Sequence, residues 1–178
     1  MLRTVLIFGV AAGAVVASSF FILPHAEDPN SAGSSLLIGY LVMLLALSLI
    51  FVGVKRFRDN QQGGVIKFLP ALGIGLGISV VAGVLYVLGW ELYMSVNHYD
   101  FADSYAKASL AAARAKGTSA AELARLTAQM ATFKTQYADP LYRLPMGFVE
   151  IFPVGVLISL ISAALLRNSR FLPAGPKS

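Results

Sequence analysis

The sequence contains no cysteine among its 178 residues, and only 13% of the residues are charged. The absence of thiols excludes disulfides, thiolate metal sites, covalent haem attachment and thiol catalysis. In soluble domains about a quarter of the residues are charged, whereas 57% of this chain is apolar. This composition is typical of an integral membrane protein.

The modest positive charge does not indicate nucleic-acid binding. The formal net charge is +5, but many of the basic residues flank apolar segments, as membrane anchors beside anionic lipid do. We therefore expect the lipid bilayer, and not nucleic acid, to be the partner of these charges.

Residues that carry enzyme or metal chemistry are scarce. The two histidines, His25 and His98, belong to separate loops, and no pair of helical ligands at positions i and i+4 is present. Nucleophile-elbow, zinc-protease and Walker motifs are absent. Serines within apolar segments, such as Ser48 and Ser159, have no histidine nearby in the sequence. We expect no catalytic residue, no bound metal and no cofactor.

Four segments are long and apolar enough to cross a bilayer, which takes about 20 helical residues. They are residues 5–23, 36–54, 68–96 and 146–166. The sequence therefore predicts an all-α fold, a single membrane domain built as a four-helix bundle. The first segment has some features of a secretory signal, but the residues "FFIL" extend its apolar run beyond normal signal length. We expect this helix to be retained.

The basic residues predict the orientation, because Lys and Arg near span ends stay preferentially in the cytoplasm. The predicted inner side carries Arg3, Lys55, Arg56, Arg58, Lys67, Arg167, Arg170 and Lys177. The opposite short loop, residues 24–34, contains Glu27 and Asp28 but no Lys or Arg. Residues 97–143 carry six basic residues on the predicted outside, which long translocated segments tolerate. We predict a multi-pass protein of the bacterial inner membrane with both termini in the cytoplasm.

Residues 98–140 are predicted to form an outer helical hairpin between the third and fourth spans. Ser119 and Glu122 make a capping box, and Asp139 with Pro140 ends the second helix. Apolar residues recur there at steps of three and four, as in an amphipathic helix. This stripe contains Leu123, Leu126, Met130, Phe133 and Tyr137. It can pack inside the hairpin, rest on the bilayer, or bind a membrane-protein partner.

Small residues at helical spacing predict close approach between helices. Gly9 and Gly13 are four apart in the first span. The third span adds Gly73, Gly75, Gly77, Ser79 and Gly83. Two interpretations remain open: tight packing within the bundle, or contact between copies in a homo-oligomer.

The stretch "IFVGVKRFRDNQQGGVIKFLPALGIGLGISVVAGVLYVLGWELYM", residues 50–94, resembles an uncharacterised bacterial membrane-protein family, domain of unknown function 4199. The resemblance lies in an apolar helix that runs into Lys55, Arg56 and Arg58, then a Gly-Gly pair, then a Gly-rich span closed by Trp90 and Tyr93. It implies an integral inner-membrane protein of four helices. It implies no catalytic residues.

Two carboxylates, Glu91 and Glu150, lie inside predicted spans, where an ionisable group is costly and is a candidate for function by default. Glu91 is adjacent to Trp90, the one tryptophan of the chain. At about 1.5 Å per helical residue, Glu91 lies about 9 Å from Asn97 and Glu150 about 10 Å from Arg143. The two carboxylates are therefore expected at similar depth on the outer side.

Three roles remain open for this pair. The carboxylates can approach one another and bind a proton or cation, or they can bind a lipid or ligand headgroup. Alternatively, Glu91 has an interfacial structural role, in which it accepts a hydrogen bond from a tyrosine hydroxyl or pairs with Arg143. Pro153 favours the first role, because it removes the helical donor to the Val149 carbonyl beside Glu150.

The predicted inner loop "KRFRDNQQGG" allows two interpretations. Lys55, Arg56 and Arg58 can bind lipid phosphate, or they can be cytoplasmic anchors with Asp59 as a local ion-pair partner. The Gly-Gly pair lacks the glycine spacing and the Lys-Ser/Thr pair of a phosphate-binding loop.

These features favour a structural or accessory subunit that binds another membrane protein, with a small proton or cation carrier that uses Glu91 and Glu150 as the alternative. A carrier predicts discontinuous helices around a polar cavity that reaches both carboxylates. An accessory subunit predicts a dry bundle and an exposed apolar patch on the hairpin.

Overall fold

The computed structural model describes residues 1–23, 32–98 and 100–174. Most of the predicted loop 24–34, with His25, Glu27 and Asp28, lies outside this part, as does Lys177. The described residues form seven helices and no strand. The helices are α1 (Leu2–Ile22), α2 (Ala32–Leu47), α3 (Leu49–Gln61), α4 (Phe68–Asn97), α5 (Phe101–Ala115), α6 (Ala120–Ala138) and α7 (Pro140–Leu166).

The prediction of four spans is confirmed. The stretches long and apolar enough to cross a membrane are α1, the α2–α3 unit from Leu37 to Gln61, α4 and α7. Large apolar side chains such as Leu45 and Leu69 are more than 70% exposed on the outside of the bundle, as expected of surfaces that contact acyl chains.

Two span boundaries differ from the prediction. The second span continues through its basic residues to Gln61, because helix propensity does not end where hydrophobicity does. The fourth begins at Pro140 and not at residue 146. Proline is well tolerated at the first helical position, and the Asp139 side chain accepts a hydrogen bond from the Leu141 N–H at 2.9 Å.

Helix α4 forms the centre of the bundle and packs against both α1 and α7. A Cβ atom at Gly9 or Gly13 of α1 would lie 2.6 Å from the Cβ of Val81 or Leu85 in α4, respectively. These faces of α1 and α4 therefore contact each other within one chain, which supports the bundle-packing interpretation. Retention of the first helix stays a prediction.

A reciprocal glycine–serine contact joins α4 to α7. The Ser79 hydroxyl donates to the Gly75 carbonyl at 2.9 Å, and the Ser159 hydroxyl donates to the Gly155 carbonyl at 2.7 Å. The two hydroxyls lie 3.3 Å apart, and both serines are buried. Each serine also packs over the glycine of the opposite helix. Ser159 therefore has a structural role in the bundle.

Replacing Gly75 by alanine is expected to destabilise this crossing. The new Cβ would lie 2.7 Å from the Ser159 hydroxyl and 3.1 Å from the Ser159 Cα, so we expect a loss of about 1–3 kcal/mol from overpacking. Gly73→Ala is the matched control, because its Cβ would meet nothing within 4 Å and alanine favours the helix. Reversible unfolding in detergent measures both free energies, and equal stabilities for the two variants would contradict this packing.

Helices α5 and α6 pack antiparallel as a hairpin. Ring centroids of Tyr105 and Phe133 lie 5.5 Å apart, and those of Phe101 and Tyr137 lie 5.2 Å apart. The turn contains Gly117 with φ +71°, a conformation that glycine adopts without strain. Ser119 caps α6 as predicted: its hydroxyl accepts from the Glu122 backbone N–H and donates to the Glu122 carboxylate at 2.9 Å.

The apolar stripe of α6 faces the interior of the hairpin. Its residues are half-buried or buried, and Tyr105 is the one large apolar side chain that is exposed between residues 100 and 139, at 48%. The exposed apolar patch expected of a docking hairpin is therefore not found there, because the stripe is needed to hold α5 and α6 together. The location of the hairpin outside the membrane stays a prediction.

An ion-pair cluster links the two hairpin helices and makes their packing dependent on pH. Lys107 and Lys134 hydrogen-bond the Asp103 carboxylate and lower its pKa to about 2. Because the pKa of Asp103 is lower in the folded state, its ion pairs stabilise the hairpin fully at pH values above the unfolded-state pKa of about 4. This stabilisation is lost as the pH falls through about 2. We expect Asp103→Asn to speed amide exchange in α6 at pH 7, with the difference from the native chain disappearing toward pH 2. A difference that persists at the acid end would contradict the assignment.

Candidate functional site

Glu91 is paired with Arg143 where the hairpin meets the bundle. The Arg143 Nε atom donates to Glu91 Oε1 at 2.6 Å, and its Nη2 atom donates to Glu91 Oε2, also at 2.6 Å. This bidentate geometry is the strongest form of a carboxylate–guanidinium pair. The Arg143 Nη1 atom donates to the Tyr137 carbonyl at 3.0 Å. We call this set of contacts the Arg143 clamp, and it ties α4, the end of α6 and the start of α7 together.

Aromatic side chains surround the Arg143 clamp. The Trp90 indole donates to the Tyr137 hydroxyl at 2.8 Å, and the Arg143 guanidinium lies 5.7 Å from the centre of the Tyr137 ring. Phe101 approaches Trp90 with ring centroids 5.4 Å apart. Tyr137 is only 8% exposed, and burial raises its pKa. The sequence places Trp90 at the membrane interface, but no local pattern shows that α6 supplies its hydrogen-bond acceptor.

Glu150 has a different environment from Glu91. Its Oε2 atom accepts a hydrogen bond from the Tyr86 hydroxyl at 2.8 Å. Tyr86 is buried, whereas Glu150 is exposed on the bundle surface. Of the two structural contacts predicted for Glu91, the tyrosine hydrogen bond is therefore made to Glu150, and the ion pair with Arg143 is made to Glu91. A cation shared by both carboxylates stays a prediction.

A pocket of about 430 Å³ lies at the same junction. It is lined by Glu91, Met94, Ser95, His98, Asp100, Phe101, Ala102, Lys134, Tyr137, Ala138 and Arg143. Glu150 does not line it. The pocket therefore reaches one of the two candidate carboxylates, Glu91, which Arg143 already neutralises. Its lining residues belong to the junction and do not extend along the bundle.

No metal centre is formed in the described part of the chain, where no three His, Asp or Glu side chains cluster closely enough to hold an ion. His98 lines the junction pocket and ends α4 in the left-handed conformation, with φ 50°.

The helices that carry the two carboxylates run without interruption. Helix α4 extends from Phe68 to Asn97, and α7 continues through Pro145 and Pro153. Pro153 has no N–H to donate to the Val149 carbonyl, yet the helix does not break there. The broken helices expected of a carrier are therefore not present at Glu91 or Glu150.

Arg58 does not fit the predicted role of a lipid-binding or anchoring residue. Its side chain is 0% exposed. It donates to the Phe171 carbonyl at 2.9 Å and to the Leu172 carbonyl, and it pairs with Asp59 at 2.7 Å. The segment after α7 returns across this end of the bundle and supplies these acceptors, which local sequence does not indicate.

Lys55 and Arg56 remain candidates for lipid phosphate. Arg56 is exposed, and the Lys55 side chain is 32% exposed and pairs with Asp59. Their predicted role as anchors beside lipid stays a prediction.

A comparison with protein families matches most of the chain. The family model described as "Protein of unknown function (DUF4199)" matches residues 7–168. The chain belongs to this family. Neither the curated proteins nor the solved structures show a significant match to the chain. Membership assigns no activity, so a function has to be argued from the contacts described above.

Proposed function

We propose that the protein is a non-catalytic accessory subunit of the bacterial inner membrane. It binds another membrane protein and presents the α5–α6 hairpin on the outer side, with both termini in the cytoplasm. The observation that carries this proposal is the Arg143 clamp. One arginine joins two spans and the hairpin through three hydrogen bonds, so the hairpin has a defined orientation on the bundle.

A defined orientation suits a binding subunit, because a surface that is already ordered loses less entropy when a partner associates. The contacts of Trp90 and Phe101 with Tyr137 add to this ordering. Since the apolar stripe is occupied within the hairpin, a partner would contact its polar outer face. A shallow surface depression on α6 lies at the edge of this face, beside half-buried Phe133, and is lined by Arg125, Ala128, Gln129, Thr132, Phe133 and Gln136.

The alternative, a proton or cation carrier, receives less support from the same contacts. Arg143 neutralises Glu91, and Tyr86 hydrogen-bonds Glu150, so each carboxylate already has its own partner. A carrier also needs polar groups along its path. The buried residues of α4 and α7 are instead mostly isoleucine, alanine and glycine, with Tyr86, Leu166 and three serines, Ser79, Ser159 and Ser162.

Purification of the tagged chain from its native membrane in nanodiscs tests this proposal. We expect a second membrane protein in fixed stoichiometry, quantified by mass spectrometry against an unrelated four-span protein with the same tag. Arg143→Met, which frees the hairpin, is expected to reduce the recovered partner while the chain remains in the membrane. Recovery of the native chain alone, or only as a homo-oligomer, would overturn the proposal.

A further inference from the structure

Glu150 is exposed on the outer surface of the bundle. It lies about 10 Å along α7 from Arg143, toward the middle of the span. Its neighbours Met146 and Val149 are 46% and 65% exposed, which is typical of a lipid-facing surface. A carboxylate at such a position is costly unless a partner group contacts it.

The hydrogen bonds on this face are incomplete. A carboxylate has two oxygens with about four acceptor sites, and Tyr86 is the one donor that reaches Glu150 among the described residues. One turn along, Pro153 has no N–H to donate to the Val149 carbonyl. We call the exposed surface formed by Met146, Val149 and Glu150 the Glu150 face. It therefore presents hydrogen-bond acceptors that lack donors. Glu91 differs, because a guanidinium binds both of its oxygens.

A second copy of the chain does not carry a matching cation. Most basic residues lie near the span ends of the predicted inner side or in the hairpin segment. Arg143, the basic residue nearest to Glu150 in sequence, is committed to Glu91. No Lys or Arg occurs between Arg143 and Arg167 or between Lys67 and Lys107, so neither α4 nor the middle of α7 offers a cation at the depth of Glu150. Charge complementarity therefore favours a different protein, and not a second copy of this chain, as the partner of Glu150.

We infer that the Glu150 face of α7 binds a transmembrane helix of another membrane protein, and that this helix carries a Lys or Arg within its span. The inference rests on the proposed function and names the contact surface and the partner chemistry. The partner cation pairs with the free acceptor sites of Glu150 while Tyr86 holds the carboxylate in place. Such a pair also fixes the depth of one helix against the other.

Site-specific photocrosslinking in the native membrane tests this contact. A benzophenone amino acid at Val149 is expected to give a heterologous adduct, and the same probe at Leu88, an exposed apolar position of α4, is not. Mass spectrometry of the adduct is expected to identify a span with a Lys or Arg. Glu150→Gln is expected to reduce the adduct about tenfold or more, whereas Glu122→Gln, the same change in the hairpin, leaves it unchanged.

Three results would overturn the inference. They are an adduct between two copies of this chain, an adduct with a span that has no basic residue, and an undiminished adduct in Glu150→Gln. If a partner still co-purifies with the chain in nanodiscs, the proposed function stands and only the Glu150 contact fails. If no partner is found by either method, both fail. Mapping the native adduct does not require the variant to fold.

Discussion

Arg143→Met is expected to lower the free energy of unfolding by about 2–3 kcal/mol and to loosen the hairpin. The substitution leaves the Glu91 carboxylate without its cation and the Tyr137 carbonyl without a donor. Breaking a buried pair by removing one partner costs about 3–5 kcal/mol, and we expect a somewhat smaller loss here because these side chains are 18% and 27% exposed. Amide exchange in α5 and α6 measures the loosening directly.

The exchanged pair, Glu91→Arg with Arg143→Glu, is the control for a charge effect. It restores opposite charges across the same contact, so we expect it to recover part of the lost stability. It does not recover all of it, because glutamate at position 143 has no N–H to donate to the Tyr137 carbonyl. Hairpin exchange rates that do not change in Arg143→Met would contradict the clamp.

Arg58→Met is expected to release the segment that follows α7. Arg58 is fully buried and donates to the Leu166, Phe171 and Leu172 carbonyls. Without the guanidinium these carbonyls lose a donor and Asp59 keeps only its pair with Lys55, so we expect a cost of about 3 kcal/mol or more. Faster trypsin cleavage at Arg170 measures the release.

Two variants separate the Arg58 contacts from a general loss of charge. Arg56→Met removes an exposed basic residue two positions away, and we expect its cleavage rate to equal that of the native chain. Arg58→Lys keeps the charge but lacks the planar fork that reaches several carbonyls, so it is expected to resemble Arg58→Met. Slow cleavage in Arg58→Lys would show that charge alone holds the segment.

The sequence predicts the spans well because bilayer crossing depends on the length and hydrophobicity of each segment. The hairpin helices are predictable for a similar reason, since caps and periodicity are local signals. The start of α7 at Pro140 differs from the predicted residue 146 because the apolar run begins six residues later. A capping aspartate and a proline at the first helical position favour the earlier start.

The partners of the candidate residues are less predictable, because they depend on which helices meet. Glu91 and Arg143 are 52 positions apart, and their pairing follows from the way the hairpin returns α7 to α4. The sequence allows this pair among several alternatives and contains no signal that selects it. The sequence presents Ser159 only as a possible nucleophile, because its packing over Gly75 depends on the α4–α7 crossing.

The contacts of the segment after α7 are also not predictable from the sequence. Its contribution to the bundle consists of backbone carbonyls that bind Arg58. Every residue carries a carbonyl, so no residue type or spacing marks such acceptors. The basic run that contains Arg58 has the composition of membrane anchors, and only the fold distinguishes its buried arginine from exposed Arg56.

Ion movement through the purified chain tests most directly whether Glu91 and Glu150 serve contacts between helices. The chain is reconstituted in liposomes under imposed gradients of H⁺, Na⁺ and K⁺, beside protein-free liposomes and the Glu91→Gln and Glu150→Gln variants. We predict that flux through the native chain equals the flux of protein-free liposomes for each ion. Flux above that level, abolished by either glutamate variant while insertion is preserved, would contradict a structural role for these carboxylates and establish the carrier.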